Sequence, residues 1–315
     1  MRAIPPVTLG ILLFALANAG FALTDASAKW LIETVGILTF YMIAVRFLTG
    51  QASSMALGFA LSGPTVWRTS ALRLNLIRSA IMASTTLTNF WAVTYLDLTT
   101  TITIIFSAPF MVALAAWYFL GEQVGRHRFI AIAMGFIGVV VVIDPVGEAF
   151  HPAMLLSLGT AIAIAALSII TRFGTTTDSL GTQAFYTTLV GALICLPFFF
   201  ILDSPLPQTG FQWTLFLAVG IVFGTGGHFL NVVAHRFAPA AILAPVMYTQ
   251  IIWMTLGQYL IDGSLPGWNT MIGAAIVIAS GLYLWYRQRL NKQAEMARQC
   301  DEGNADHHSQ QRPSA

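Results

Sequence analysis

Arg46 lies within Tyr41-Met42-Ile43-Ala44-Val45-Arg46-Phe47, with mostly apolar residues on either side. An ionised side chain at the centre of a membrane helix costs about 2.5–3.5 kcal/mol on insertion scales, so it needs a partner, a wet cavity or a task. Arg46 is therefore either a cavity-lining cation that binds an anionic group or fixes a gate, or a structural arginine held by carbonyls or a neighbouring acid. Asp25 and Lys29 are four apart, share a helix face and can pair in acid-before-base order, as a gate, a coupling pair or an interfacial anchor. Asp25 is expected near the outer end of its helix, and no acid is expected deep in the bundle. Gly224, His228, Asn231 and His235 follow one another at offsets of four, three and four, which is one helix face. Arg78, Thr85 or Thr86, and Asn89 repeat that arrangement earlier in the chain, so Asn89 and Asn231 are expected to face a common cavity, or else to bond neighbouring helices. Met247, Gln250, Trp253 or Met254, and Gly257 form a third face, with Tyr248 beside it. Flat aromatic, flexible Met and amide groups together suit a planar, partly polar small molecule, or ordinary core packing.

These residues are carried by apolar runs of about 18 to 24 positions that fill nearly everything from Val7 to Trp285, the length that crosses a hydrocarbon core. The runs predict helices at 7–28, 37–57, 74–95, 99–120, 127–144, 152–172, 181–202, 212–234, 240–261 and 267–287. The chain is 57% hydrophobic and only 9% charged, far below the roughly 25% charged of a soluble domain. Its solvent is the lipid bilayer. Net charge is +2, and the basic residues lie in connections instead of a stripe with exposed aromatics, so no nucleic-acid partner is expected. Cys195 and Cys300 have no metal-ligand spacing, and neither a metal nor a cofactor is expected. Arg2 with the run ending Ala17-Asn18-Ala19 imitates a signal peptide, but cleavage would leave nine spans and spoil the charge pattern.

That pattern alternates. Arg68, Arg73, Arg78, Arg126, Arg128, Arg172, Arg236, Arg287, Arg289 and Lys292 fall on one side with Arg2, and Glu33, Asp97, Asp144, Glu148, Asp203 and Asp262 on the other, with Lys29. The basic side is the cytoplasm, which puts both termini inside. From about Arg289 the chain turns polar, with His307-His308, and reads as a disordered cytoplasmic tail, 288–315. Shifting the chain by about 142 residues brings Asn89 onto Asn231, Thr86 onto His228, Ala92 onto Ala234, Tyr95 onto Phe237 and Phe106 onto Tyr248; one more residue brings Lys29 onto Arg172 and Gly138 onto Gly281. The fold expected is an all-α membrane protein of ten transmembrane helices in two five-helix repeats, 7–144 and 152–287. Five is odd, so the repeats are inverted, an arrangement that places a substrate site near mid-membrane where the halves meet.

Several blocks resemble one family. Ala108-Pro109 through Trp117, Leu120-Gly121-Glu122 and Gly135-Phe136-Ile137-Gly138-Val139-Val140 are similar to the first-half signature of the EamA-type, ten-helix members of the drug/metabolite transporter superfamily. Ala244-Pro245, Tyr248-Thr249-Gln250 and the run Gly273 to Tyr283 resemble the second half, and Asp25-Ala26-Ser27-Ala28-Lys29 the first helix. The resemblance covers about residues 7–287. It implies a secondary transporter of a small organic metabolite; riboflavin suits the aromatic ninth helix, while amino acids, nucleotide-like metabolites and opine-like exported compounds are equally allowed. Ile261-Asp262-Gly263 departs from the family's common Gly-Glu pair, which puts a strict role for that acid in doubt.

The substrate-binding candidates are thus Arg46, Thr86, Asn89, His228, Asn231, Tyr248, Gln250 and Trp253, and the gate or coupling candidates Asp25 and Lys29. The partners expected are a small-molecule substrate and the bilayer, with room for a homodimer. No HExxH pair, G-x-S-x-G elbow or deep aspartate pair supports an intramembrane enzyme. Gly224-Thr225-Gly226-Gly227 follows no strand and lacks the P-loop lysine. A channel or a non-transporting sensor remains the third reading, separable from a carrier by saturable kinetics. Pro109 and Pro245 mark expected kinks, and Gly220 with Gly224 a site of close helix approach.

Overall fold

A computed structural model of the chain describes residues 5–120, 125–145, 147, 150–173, 178–287 and 290. Gly121, Glu122, Glu148, Arg2, Arg289, Lys292, Cys300 and the tail with His307-His308 lie outside the described residues. Helices run through α1 (Pro6–Val35), α2 (Thr39–Ser62), α3 (Leu72–Tyr95), α4 (Leu98–Ile105), α5 (Ala108–Leu120), α6 (Arg126–Ile143), α7 (Met154–Phe173), α8 (Leu180–Ile201), α9 (Gly210–Ala218), α10 (Gly226–Phe237), α11 (Ala240–Leu243) and α12 (Thr249–Asp262). A last helix, α13, spans Trp268–Arg287. Among the described residues no strand occurs. With no water in hydrocarbon to satisfy backbone groups, a helix is the form in which each apolar run satisfies its own.

Seven stretches of described helix are long and apolar enough to cross a membrane, α4 with α5 and α9 through α10 each counting as one. Neither α2 nor α3 is among them, and these are the helices that carry Arg46, Arg78, Thr86 and Asn89. A helix that turns a face to water inside the bundle has no need to be apolar all round.

The first helix is longer than its apolar run. It continues from the expected end near residue 28 to Val35, and Gly36 closes it in the left-handed conformation at φ 79°. Lys29 permits the extension by donating to the Leu96 carbonyl at 2.7 Å, at the C-terminal end of α3, and by pairing with Glu33 at 3.6 Å. Carbonyls at a helix end lack internal partners and attract cations.

Both expected proline kinks are present. The fourth span breaks at Phe106-Ser107 ahead of Pro109, and α11 passes through a 3₁₀ stretch over Ala244–Tyr248, with Pro245 in its first turn, before α12. The eighth span carries a feature without a proline: a π-helical segment, Val219–Thr225, joins α9 to α10. Here the chain is pressed against α2. A Cβ on Gly220 would lie 2.7 Å from the Arg46 carbonyl oxygen and collide with Thr49, so only glycine fits.

Packing crosses between the two halves of the chain. α1 packs on α10 and α12, α7 on α3 and α4, α2 on α8, and α4 on α12, while α8 lies on α3 and α2 on the π-helical segment. α6 meets α13 where Gly138 and Gly273 leave no room for side chains. Contacts between helix ends fall into two groups. At one end Asp178 bonds Thr69 and Ser70, Ser62 bonds Ser179, and Gly10 lies against Ala238. At the other, Leu38 N donates to Ser204, Tyr95 stacks on His151, Gln258 accepts from Leu98 N, and Asn269 donates to Asp144.

Candidate functional site

A cavity of about 550 Å³ lies between α2, α8 and the α10 stretch, walled in part by Met82 of α3. On α2 its wall is Arg46, Gly50, Ser54, Leu57 and Leu61, steps of four, four, three and four that keep one face inward. The opposite wall is Gly220, Gly224, Thr225, His228, Val232 and Arg236. Thr225 Oγ1 and Ser53 Oγ lie 2.8 Å apart, and Thr188 donates to Gln51 at 2.7 Å, tying these walls together. The cavity reaches the helix ends at Ser62 and Ser179, the end that also carries Arg68, Arg73 and Arg236.

Its deep end is built on Arg46. Arg46 Nη1 donates to Thr86 Oγ1 at 3.1 Å, and the guanidinium carbon lies 5.4 Å from the Phe90 ring centroid, within cation–π range. Arg46 Nε is buried and has no hydrogen-bond partner in the protein. One turn along α3 from Thr86, Asn89 donates to Asp25 Oδ1 at 3.0 Å, while its own Oδ1 is unpartnered. α3 thus bonds α2 through Thr86 and α1 through Asn89 on successive turns, with Arg46 facing the cavity. Beyond it, Tyr41 stacks on Phe199 at 5.0 Å and on Phe216 at 6.4 Å, all within a buried cluster of α2, α8 and α9.

The structure brings together part of the expected site. Arg46 and His228 line the cavity, Thr86 holds Arg46, and Asn89 holds Asp25. Asp25 is only 7% exposed and lies ten residues before the end of α1, roughly 15 Å of helix. The expected shallow position, and with it the absence of a deep acid, is corrected by the greater length of α1. Nor do Asp25 and Lys29 pair, since each has a better partner across helices.

Asn231 does not line the cavity. The wall on α10 steps by four from His228 to Val232 and Arg236, which leaves Asn231 with His235 on the side where His235 meets Phe14 of α1. The ninth span stands apart as well. Tyr248 is held edge-on against Phe106 at 5.1 Å, with its hydroxyl in the notch left by Gly281. Gln250 is half-buried, and Trp253 is 41% exposed beside the inward-facing Met254 and Gln258. Asp262 accepts from Gln258 and from Ser264 at 2.6 Å each, and so closes a helix end. The residues missed, Gly50, Ser54 and Arg236, were within reach: the first two continue the face of Arg46 in steps of four, and Arg236 lies two turns beyond His228.

The model of the EamA-like transporter family matches residues 8–144 and again 151–286. An S-adenosylmethionine uptake transporter of Rickettsia bellii is 26% identical over 91% of this chain and 97% of its own. A riboflavin transporter of Vibrio cholerae is 23% identical over 91% and 97%, and a pseudopaline exporter of Pseudomonas aeruginosa 24% over 87% and 95%. A solved crystal structure covering 88% of this chain and 95% of that one superposes with a TM-score of 0.60 at 17% identity, which is a likeness of fold. With two family matches that span the described helices, and halves that pack across each other, the chain belongs to the EamA-like transporter family.

Proposed function

We propose that the chain is a secondary transporter of ten membrane-crossing helices in two inverted repeats, 7–144 and 152–287, which carries a small organic metabolite across the cytoplasmic membrane by alternating access. The observation that carries this reading is a cavity walled by helices of both halves, reaching one end of the bundle and backed at the other by Arg46, Asn89 and the Tyr41–Phe199–Phe216 stack. A carrier needs such one-sided access, whereas a pore needs a continuous path.

The packing supports two equivalent halves. If α1 corresponds to α7, α2 to α8, α3 to the α9–α10 span, α4–α5 to α11–α12 and α6 to α13, exchanging the halves maps the contacts onto one another. α1 on α10 becomes α7 on α3; α1 on α12 becomes α7 on α5; α8 on α3 becomes α2 on the π-helical segment. The pairs α2 with α8 and α6 with α13 map onto themselves, and α4 with α12 joins the two corresponding spans. Five spans per half make such a relation an inversion in the membrane. Arg68, Arg73 and Arg236 at the open end favour the cytoplasm there, with both termini inside.

The relatives' cargoes make S-adenosylmethionine, riboflavin and opine-like metabolites the compounds to try. Riboflavin remains among them through those relatives, since the ninth-span aromatics lie apart from the cavity. Uptake or efflux in proteoliposomes containing the full chain is the test. Arg46→Ala and His228→Ala, which remove a cavity wall, and Asn89→Ala, which frees Asp25, are each expected to lower transport by tenfold or more, about 1.4 kcal/mol or above. Unchanged transport in all three would discard this site.

A further inference from the structure

We infer that the cavity selects cargo bearing a carboxylate, phosphate or similar anionic group, and disfavours cargo of net positive charge. The inference rests on the cavity being the cargo site and adds its substrate class. Arg46 stands at the deep end and Arg236 toward the mouth, with His228 between them. Among the described lining residues there is no Asp or Glu. The acids nearest the cavity stand behind its lining: Asp25 bonds Asn89 and offsets part of the Arg46 charge, and Asp178, next to the mouth residue Ser179, accepts from Thr69, Ser70 and Asn75. A low-dielectric cleft lined by one sign of charge concentrates ligands of the opposite sign.

Arg46 is also presented for such a group. Thr86 accepts from Nη1 and Phe90 lies against the guanidinium, which fixes its orientation where Arg46 lines the cavity. A two-oxygen acceptor fits the edge of a guanidinium bidentately. With Arg46 and Arg236 against Asp25, a single negative charge on the cargo brings the site to neutrality. Leu57, Leu61, Phe229 and Val233 supply apolar wall for the body of the molecule, and Ser54 and Thr187 offer hydroxyls along it. The volume is that of an ordinary small-molecule pocket.

The test reads the charge preference without presupposing the cargo. In the full-length chain with Cys195 and Cys300 replaced by serine, Ala184→Cys and Thr188→Cys place one thiol near the mouth and one a turn deeper. Each is modified with two thiosulfonate reagents of matched size, one bearing a sulfonate and one a quaternary ammonium, and the anion-to-cation rate ratio is divided by that for a free thiol. Anions are expected to be favoured by about tenfold or more at both positions, with Arg46→Gln abolishing the preference at Thr188→Cys and Arg236→Gln reducing it at Ala184→Cys. A second arm compares S-adenosylmethionine with S-adenosylhomocysteine, which lacks only the methyl group and its positive charge, as protectants of Thr188→Cys; the homocysteine form is expected to protect at lower concentration. A ratio of one, a preference for the cation, or better protection by S-adenosylmethionine would overturn the inference while leaving the cavity as a cargo site. Failure of both reagents to react would instead overturn the open cavity, and with it the reading on which the inference rests.

Discussion

Asp178 shows how a single loop carboxylate can fix the geometry of the open end. Its oxygens accept from Thr69 Oγ1 at 2.6 Å, Asn75 Nδ2 at 2.7 Å and Ser70 N at 3.1 Å, joining the α2–α3 connection to the residues just before α8. Partial burial pushes this carboxyl up, but the hydrogen bonds outweigh burial and hold it below the ordinary carboxylate range. A carboxylate with a depressed folded pKa stabilises the fold above its unfolded value, near 3.9, and loses that effect as pH falls through its folded value. In thermal melts, Asp178→Asn is therefore expected to melt below the parent from pH 5 to 7, and the gap to close progressively below about pH 4. A gap that stays constant down to pH 2.5 would assign the loss to geometry instead of charge. At this same scale Arg46 was legible because a charge inside an apolar run is conspicuous, whereas the depth of Asp25 was not. Its depth depends on where α1 ends, and that is set by Lys29 reaching Leu96, a contact 67 positions away in the chain.

Among the elements, the span over 210–237 decides the shape of the cavity. Its π-helical segment adds a residue to one turn and so shifts the faces of α9 relative to α10, and across that turn the Thr225 hydroxyl donates to the Gly220 carbonyl at 3.0 Å. Kinks at Pro109 and Pro245 could be read from the sequence, because proline removes a specific backbone donor. No residue type announces a π turn, and beyond it steps of three and of four from His228 both keep to a helix face, so the wall running through Val232 and Arg236 was assigned to Asn231 and His235. Two glycines on this span give opposite expectations. Gly220→Ala drives a methyl group into Thr49 and the Arg46 carbonyl and is expected to cost about 1–3 kcal/mol, lowering the melting temperature and disturbing Arg46. Gly226 has ordinary helical angles, φ −62° and ψ −43°, and open space around the missing Cβ. Gly226→Ala should therefore be neutral or raise stability by up to about 1 kcal/mol. Differential scanning fluorimetry of the two variants under one detergent condition checks the pair; equal effects would mean that the close approach to α2 is not what Gly220 provides.

For the whole molecule, the all-helical, membrane-spanning character was the most legible feature, since it follows from the length of the apolar runs and the thickness of the bilayer. The pairing of α1 with α10 and α3 with α7 was not, because apolar faces of similar composition carry little information about which face they meet. The inverted relation proposed for the halves makes a sided prediction that uses matched positions. Ser62, at the end of α2, and Ser204, just after α8, stand 142 residues apart, the offset at which the halves coincide, and lie in the two separate groups of end contacts. Each is replaced by cysteine in a chain with Cys195 and Cys300 changed to serine. A membrane-impermeant maleimide is expected to label Ser204→Cys in intact cells and Ser62→Cys only after the membrane is opened. Labelling of both from outside, or the reverse order, would contradict the proposed topology. With the expected pattern, equivalent points of the two halves face opposite compartments, so the closure that Tyr41, Phe199 and Phe216 make at one end must have its counterpart at the other when the cargo leaves.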